Sequence, residues 1–176
     1  MLPAVLIVMG VSGSGKTTVG TLLAERLRWE FRDADSFHPP ANIEKMQGGH
    51  ALTDEDRRPW LEAIAAWIDA TRRARRRGVV TCSALKRRYR AALIGEREDV
   101  RLVYLKGDEQ LIARRIASRK GHFMPAALLG SQFEALEEPG PDERPITVAV
   151  DGSPEQIVER IVAILGSADV GRPVKR

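Results

Sequence analysis

Two groups of residues have the types and spacing to do chemistry on a phosphate. The first is Gly10-Val11-Ser12-Gly13-Ser14-Gly15-Lys16-Thr17, which fits G-x-x-x-x-G-K-[ST] between an apolar run and a helical pattern. Glycines let a backbone wrap an anion with its amide hydrogens turned inward. A helix starting near Lys16 adds its positive pole. Lys16 is then placed to reach the β- and γ-phosphates of ATP, and the Thr17 hydroxyl to ligate Mg²⁺. Gly10, Ser12, Gly13, Ser14, Gly15 and Thr18 complete the ATP-binding set expected from the loop. The second group is Asp33-Ala34-Asp35. Asp-x-Asp alone most often marks a turn. Here it closes the alternating run Trp29–Arg32, which reads as a strand ending on the same edge of a parallel sheet as the loop. A later run, Val79-Val80-Thr81, ends in Cys82-Ser83-Ala84, without the acid that many phosphate-loop proteins place there for Mg²⁺. Asp33 is therefore expected to supply the metal's carboxylate. Asp35 is expected to act as the catalytic base toward an attacking hydroxyl.

Phosphoryl transfer also needs an acceptor held in line. His38, Asn42 and Lys45 follow the acids, Arg57 precedes Pro59-Trp60, and Lys86 and Arg90 lie four apart on one helix face. All six are candidate substrate contacts, and the cations suit an anionic acceptor. The competing reading is a solvated basic face, since Arg87 and Arg88 lie on the same helix. Arg115 and Arg119 are likewise four apart, and Gly121 follows. Residues 119–130 read as a mobile lid that brings Arg119 to the transferring group and excludes water. Lys16, Asp35 and Arg119 form the expected catalytic set.

These residues must be positioned by strands at Val5–Met9, Trp29–Arg32, Val79–Cys82, Leu102–Leu105 and Ile146–Val150. Helical patterns alternate with them at Thr17–Leu27, Trp60–Arg76, Lys86–Ile94, Glu109–Ser118, Ala126–Leu136 and Pro154–Leu165. That order predicts an α/β fold of three layers, α/β/α, around a five-stranded parallel sheet. The 176 residues suffice for one domain, expected over 1–165, with 38–60 as its substrate-binding segment and a disordered tail over 166–176. One cysteine, Cys82, forbids an intrachain disulfide and fits a reducing, cytoplasmic setting. The apolar run Leu2–Met9 is too short to span a bilayer and reads as a buried strand. The net charge of +4 suits small anions or nucleic acid. The densest basic run, Arg72–Arg77, falls at a helix end, where cations complement the macrodipole. Aromatic content of 5% and the lack of a recognisable reading module argue against a nucleic-acid partner.

Beyond the loop, the segments DADSFHPPANIEKMQGGHALTDEDRRPWL, CSALKRRYR, VYLKGD and RKGHFMPAALLGSQFEALEEP resemble the gluconokinase family, the small ATP-dependent kinases of D-gluconate. The resemblance runs from Leu6 to about Leu165. It implies a fold similar to shikimate and adenylate kinases, ATP with Mg²⁺, gluconate as acceptor, 6-phosphogluconate as product, and a homodimer. It places His38–Trp60 and the CSALK helix around gluconate, the RKGHF segment over ATP, and the Gly152–Pro154 turn near adenine. The alternatives are a kinase of another small anion (shikimate or a nucleoside monophosphate), an ATP-binding protein acting on nucleic acid, and a nucleotide-gated regulator without turnover.

Overall fold

The computed structural model describes residues 2–118 and 126–170. Its strands are β1 (Val5–Met9), β2 (Glu30–Asp33), β3 (Gly78–Thr81), β4 (Val100–Lys106) and β5 (Ile146–Ala149). Its helices are α1 (Lys16–Leu27), α2 (Pro40–Gln47), α3 (Asp54–Arg73), α4 (Arg87–Ile94), α5 (Glu109–Ser118), α6 (Ala126–Ala135) and α7 (Pro154–Val170). The five strands form one parallel sheet in the order β2-β3-β1-β4-β5. A central parallel strand is covered on both faces, and β1 obeys this with every residue fully buried. Its side chains alternate between two cores. Leu6 and Val8 join Val19, Leu23, Ile112, Ile157 and Ile161 beneath α1, α5 and α7. Val5, Ile7 and Met9 join Trp60, Ile64, Ile68 and Leu93 beneath α3 and α4. β1 lies between β3 and β4, which leave in opposite directions along the sheet, so a crevice opens at the carboxyl end of β1.

Two helix boundaries differ from the sequence expectation by five residues or more. α3 begins at Asp54, ahead of Pro59. Thr53 accepts from the Asp56 amide at 3.2 Å while Asp56 accepts from the Thr53 amide at 2.7 Å. This capping box and the acids of the first turn, Asp54, Glu55 and Asp56, outweigh the one hydrogen bond that Pro59 removes. α7 starts as expected, with Ser153 and Gln156 in a second capping box. It continues past Leu165 to Val170, so residues 166–170 are helix and not tail. The basic run is drawn into the fold: Arg72 pairs with Asp69 and Asp99, Arg76 with Glu30, and Arg77 lies over the Trp29 ring. Among the described residues no helix is long and apolar enough to cross a membrane.

Candidate active site

The phosphate loop fills the turn from β1 to α1. Gly13 and Gly15 adopt φ of +81° and +94°, where a side chain would be strained. A Cβ on Gly13 would also lie 2.6 Å from Cγ1 of Ile116, so α5 packs directly on the loop. Ser14 is fully buried, and its hydroxyl has no partner among the described residues. Buried polar groups are normally paired, so an unpaired hydroxyl within an amide-rich loop suits an anionic ligand. Lys16 is half-buried, and its ammonium donates to the Val11 carbonyl at 3.0 Å. Burial lowers its pKa, opposed by the nearby Cys82, Asp35 and Asp33. Gly10 closes the strand against Ser14, and Thr18 is exposed on the first turn of α1.

The acidic pair meets this loop. Thr17 Oγ1 donates to Asp33 Oδ2 at 3.2 Å. The other oxygen, Oδ1, accepts from the Asp35 amide at 2.9 Å, so Asp33 caps the 3-10 turn Ala34–Phe37. Asp35 is exposed on that turn. Trp60 fixes the turn from below, its indole N–H donating to the Ala34 carbonyl at 2.7 Å. Cys82 is buried beside Lys16, and burial pushes its thiol up to about 12, which leaves it an inert thiol.

The proposed acceptor residues fall into three kinds. His38, Asn42 and Lys45 are woven into one network with α3. The His38 ring stacks on Trp60 at 4.5 Å, Asn42 Nδ2 lies 3.4 Å from His38 Nδ1 and donates to the Asp56 carbonyl at 2.8 Å, and Lys45 pairs with Asp56 at 2.5 Å. Hydrogen bonds from Lys45 and from Thr53 hold the Asp56 carboxyl at about 2. Arg57 and Lys86 both approach the Tyr89 ring at 5.7 Å. Lys86 also donates to Asp54, which accepts from Arg88 and from the Tyr89 hydroxyl. That hydroxyl bond and the neighbouring cations lower the Asp54 pKa. Among the described residues Arg57 has no carboxylate partner.

Arg90 departs from the expectation. It is 1% exposed, and Glu143 takes its guanidinium at 2.6 and 3.0 Å. Its Nη1 donates to the carbonyls of Ala84 and Leu85 at 3.0 and 3.1 Å. Its hydrogen bonds are used within the fold, and it braces the β3–α4 turn instead of facing an acceptor. Arg115 donates to the carbonyls of Val150 and Gly152, which ties α5 to the β5–α7 turn. Arg119 and residues 120–125 of the expected lid lie outside the described residues; 126–130 form the first half of α6.

Five contributors were not anticipated. Asp54, Tyr89 and Glu143 act across the fold, with partners far off in sequence. Gln132 on α6 binds Ser12 of the phosphate loop through both ends of its carboxamide. Asp56 had a local signal, as the third residue after the Thr53 cap; Gln132 had none beyond its place in the family-like segment.

A phosphate loop at the switch point of a parallel sheet, with an acid from β2, one strand beyond β3, against its threonine, defines a P-loop kinase. Residues 5–139 match the family model described as AAA domain. The chain belongs to the gluconokinase family: it is 48% identical over 160 residues to the gluconokinase of Gluconobacter oxydans, covering 91% of this chain and 90% of that one. The crystal structure of a gluconokinase from Sinorhizobium meliloti superposes with a TM-score of 0.86 at 43% identity, covering 95% of this chain and 94% of the other. Shikimate kinase from Aquifex aeolicus shares the fold, with a TM-score of 0.59 at 17% identity over 96% of this chain and 99% of the other.

Proposed function

We propose that the protein transfers the γ-phosphoryl group of ATP to the terminal hydroxyl of D-gluconate, giving 6-phosphogluconate and ADP. The observation that carries the chemistry is the contact of Thr17 with Asp33 at the phosphate loop. The choice of gluconate rests on relatives of that name matching along nearly the whole chain.

In this reading the loop amides and Lys16 hold the triphosphate, and the fixed backbone dipoles need no reorganisation when charge moves to the leaving oxygen. The Thr17 hydroxyl and the Asp33 carboxylate are oxygen donors of the kind Mg²⁺ takes, and the unpaired Ser14 hydroxyl beside them speaks for an anion in the same place. Mg²⁺ held there would neutralise charge on the β- and γ-phosphates. Asp35 accepts the proton of the gluconate hydroxyl as its oxygen bonds to the γ-phosphorus. The bond from that phosphorus to the bridging β–γ oxygen breaks, and ADP leaves with the electron pair. Arg57 and Lys86, gathered at Tyr89, offer positive charge for the gluconate carboxylate. His38, Asn42 and Lys45 shape the wall beside Asp35, Arg115 supports the turn toward adenine, and the family resemblance assigns Arg119, outside the described residues, to the phosphates. The family resemblance further supports a cytoplasmic homodimer, which sedimentation at assay concentrations tests.

The deciding assay offers Mg-ATP with gluconate, shikimate, AMP and several aldonic acids in parallel, following ADP release. Gluconate is expected to give the highest kcat/KM. Equal or better turnover of shikimate or AMP defeats the assignment of acceptor; no acceptor-dependent ADP release defeats the kinase reading.

A further inference from the structure

One peptide unit of the phosphate loop is held from both sides. Its carbonyl belongs to Val11 and accepts from the Lys16 ammonium at 3.0 Å. Its amide belongs to Ser12 and donates to Gln132 Oε1 at 2.6 Å. The same carboxamide returns a second bond, Gln132 Nε2 to Ser12 Oγ at 2.7 Å. A trans peptide is planar, with its C=O and N–H directed oppositely. Fixing the Ser12 amide therefore fixes the direction of the Val11 carbonyl on which Lys16 leans. A carboxamide carries an acceptor and a donor on one carbon, which matches this double contact. Gln132 comes from α6, 120 positions away in sequence, and is half-buried there. Neither bond serves the helix or a core, because both end on the loop that cradles phosphate.

We propose that Gln132 is a positioning residue for phosphoryl transfer: it locks the Val11–Ser12 peptide plane and, through it, the ammonium of Lys16. The Val11 carbonyl also accepts from the Ser14 amide at 3.1 Å; without the clamp that single bond within the turn is left to resist rotation of the peptide, and Lys16 samples positions off the line of transfer. Misplacement on that scale lowers turnover more than it lowers stability. The proposal rests on the kinase reading above.

The test compares wild type, Gln132→Ala and Gln132→Glu in ADP release with gluconate, alongside thermal melts. Wild-type turnover checks the kinase reading by itself; the variant-to-wild-type ratios check the clamp. Gln132→Ala is expected to lose about tenfold or more in kcat, with a wild-type melt and an unchanged KM for gluconate. Gln132→Glu discriminates further. An ionised carboxylate can still accept from the Ser12 amide and from the Ser12 hydroxyl turned to donate, but its charge repels the phosphates, whereas a protonated carboxyl is neutral and keeps a donor beside an acceptor. Phosphates nearby raise the pKa of a carboxyl at position 132. The ratio of Gln132→Glu to wild-type kcat is therefore expected to rise as the pH falls from about 8 to about 5.5, across the raised carboxyl range. Using the ratio cancels titrations the two proteins share. Wild-type kcat in Gln132→Ala overturns the proposal. So does a loss in both variants that tracks the fraction unfolded, or a pH-independent ratio for Gln132→Glu.

Discussion

Around the phosphate loop the backbone does most of the holding. Gly13 and Gly15 take left-handed conformations, Ile116 presses on the loop, and the Lys16 ammonium rests on a main-chain carbonyl. In the corner formed by α2, α3 and α4, side chains hold one another instead. Lys45 grips Asp56, His38 stacks on Trp60, and Asp54 gathers Lys86, Arg88 and Tyr89. The two regions suit different tasks. Every nucleoside triphosphate presents the same phosphate chain, which fixed main-chain dipoles can serve. An acceptor differs from one kinase to the next, and side chains are what a sequence can change without altering the fold. They meet at the acidic turn, where Asp33 bonds Thr17 on the loop side and Trp60 holds Ala34 on the corner side.

The largest effect should come from the loop. Lys16→Ala is expected to reduce kcat by about a thousandfold or more, with far-UV circular dichroism and melting unchanged. Since the one hydrogen bond of Lys16 among the described residues goes to the Val11 carbonyl, little stability is lost with it. Retained activity would remove the asymmetry between the two regions. At the junction, Asp35→Asn should lower kcat by ~10²–10⁴ if it is the base, with ATP affinity maintained. Asp33→Asn should instead raise the Mg²⁺ concentration for half-maximal rate. Identical Mg²⁺ titrations for the two variants would mean that the division of labour between the carboxylates is misassigned.

How far each region could be read from sequence follows from how it is held. The loop is eight consecutive residues, Gly10 to Thr17, and its geometry is encoded in those residues alone. The strands were legible for the same reason: β1 matches its expected bounds, and the other strands differ by a residue or two at one or both ends. The corner is different. Arg90 has the same local appearance as Lys86, a cation on one basic helix, yet Glu143 lies 53 positions later and decides its role. No periodicity or spacing carries that pairing. Thr53 and Asp56 carry a local helix-start signal that a helix expected from Trp60 leaves unused, and Pro59 costs that helix only a single hydrogen bond.

Arg90 offers a way to sharpen the contrast through stability. Arg90→Met leaves the half-buried Glu143 with only the more distant Arg87 guanidinium, at 3.9 Å, and is expected to destabilise the fold by about 3 kcal/mol in urea unfolding. Adding Glu143→Gln should recover part of that loss, because the stranded charge is removed. Activity per folded molecule is expected to hold. A selective loss of gluconate kcat/KM in the folded fraction would return Arg90 to the acceptor site.

The smallest expected effect belongs to His38, and its sign is informative. Burial lowers the pKa of the ring, Asp35 pulls it upward, and Arg57 pushes it down. In the unfolded chain the ring has its ordinary value of about 6.5. The unfolded state therefore binds the proton first as pH falls, and stability drops with it. Stability supplied by the neutral ring stacked on Trp60 is present above about 6.5 and is lost as the pH falls toward the folded value. Urea midpoints from about pH 7.5 to about pH 5.5 should thus fall more steeply for wild type than for His38→Gln, the interval bracketing that ordinary value. The opposite slope would mean that Asp35 outweighs burial and holds a charged ring beside it. In that case His38 would be poised to stabilise the Asp35 carboxylate, and the corner would act on the base directly as well as through the Trp60–Ala34 contact.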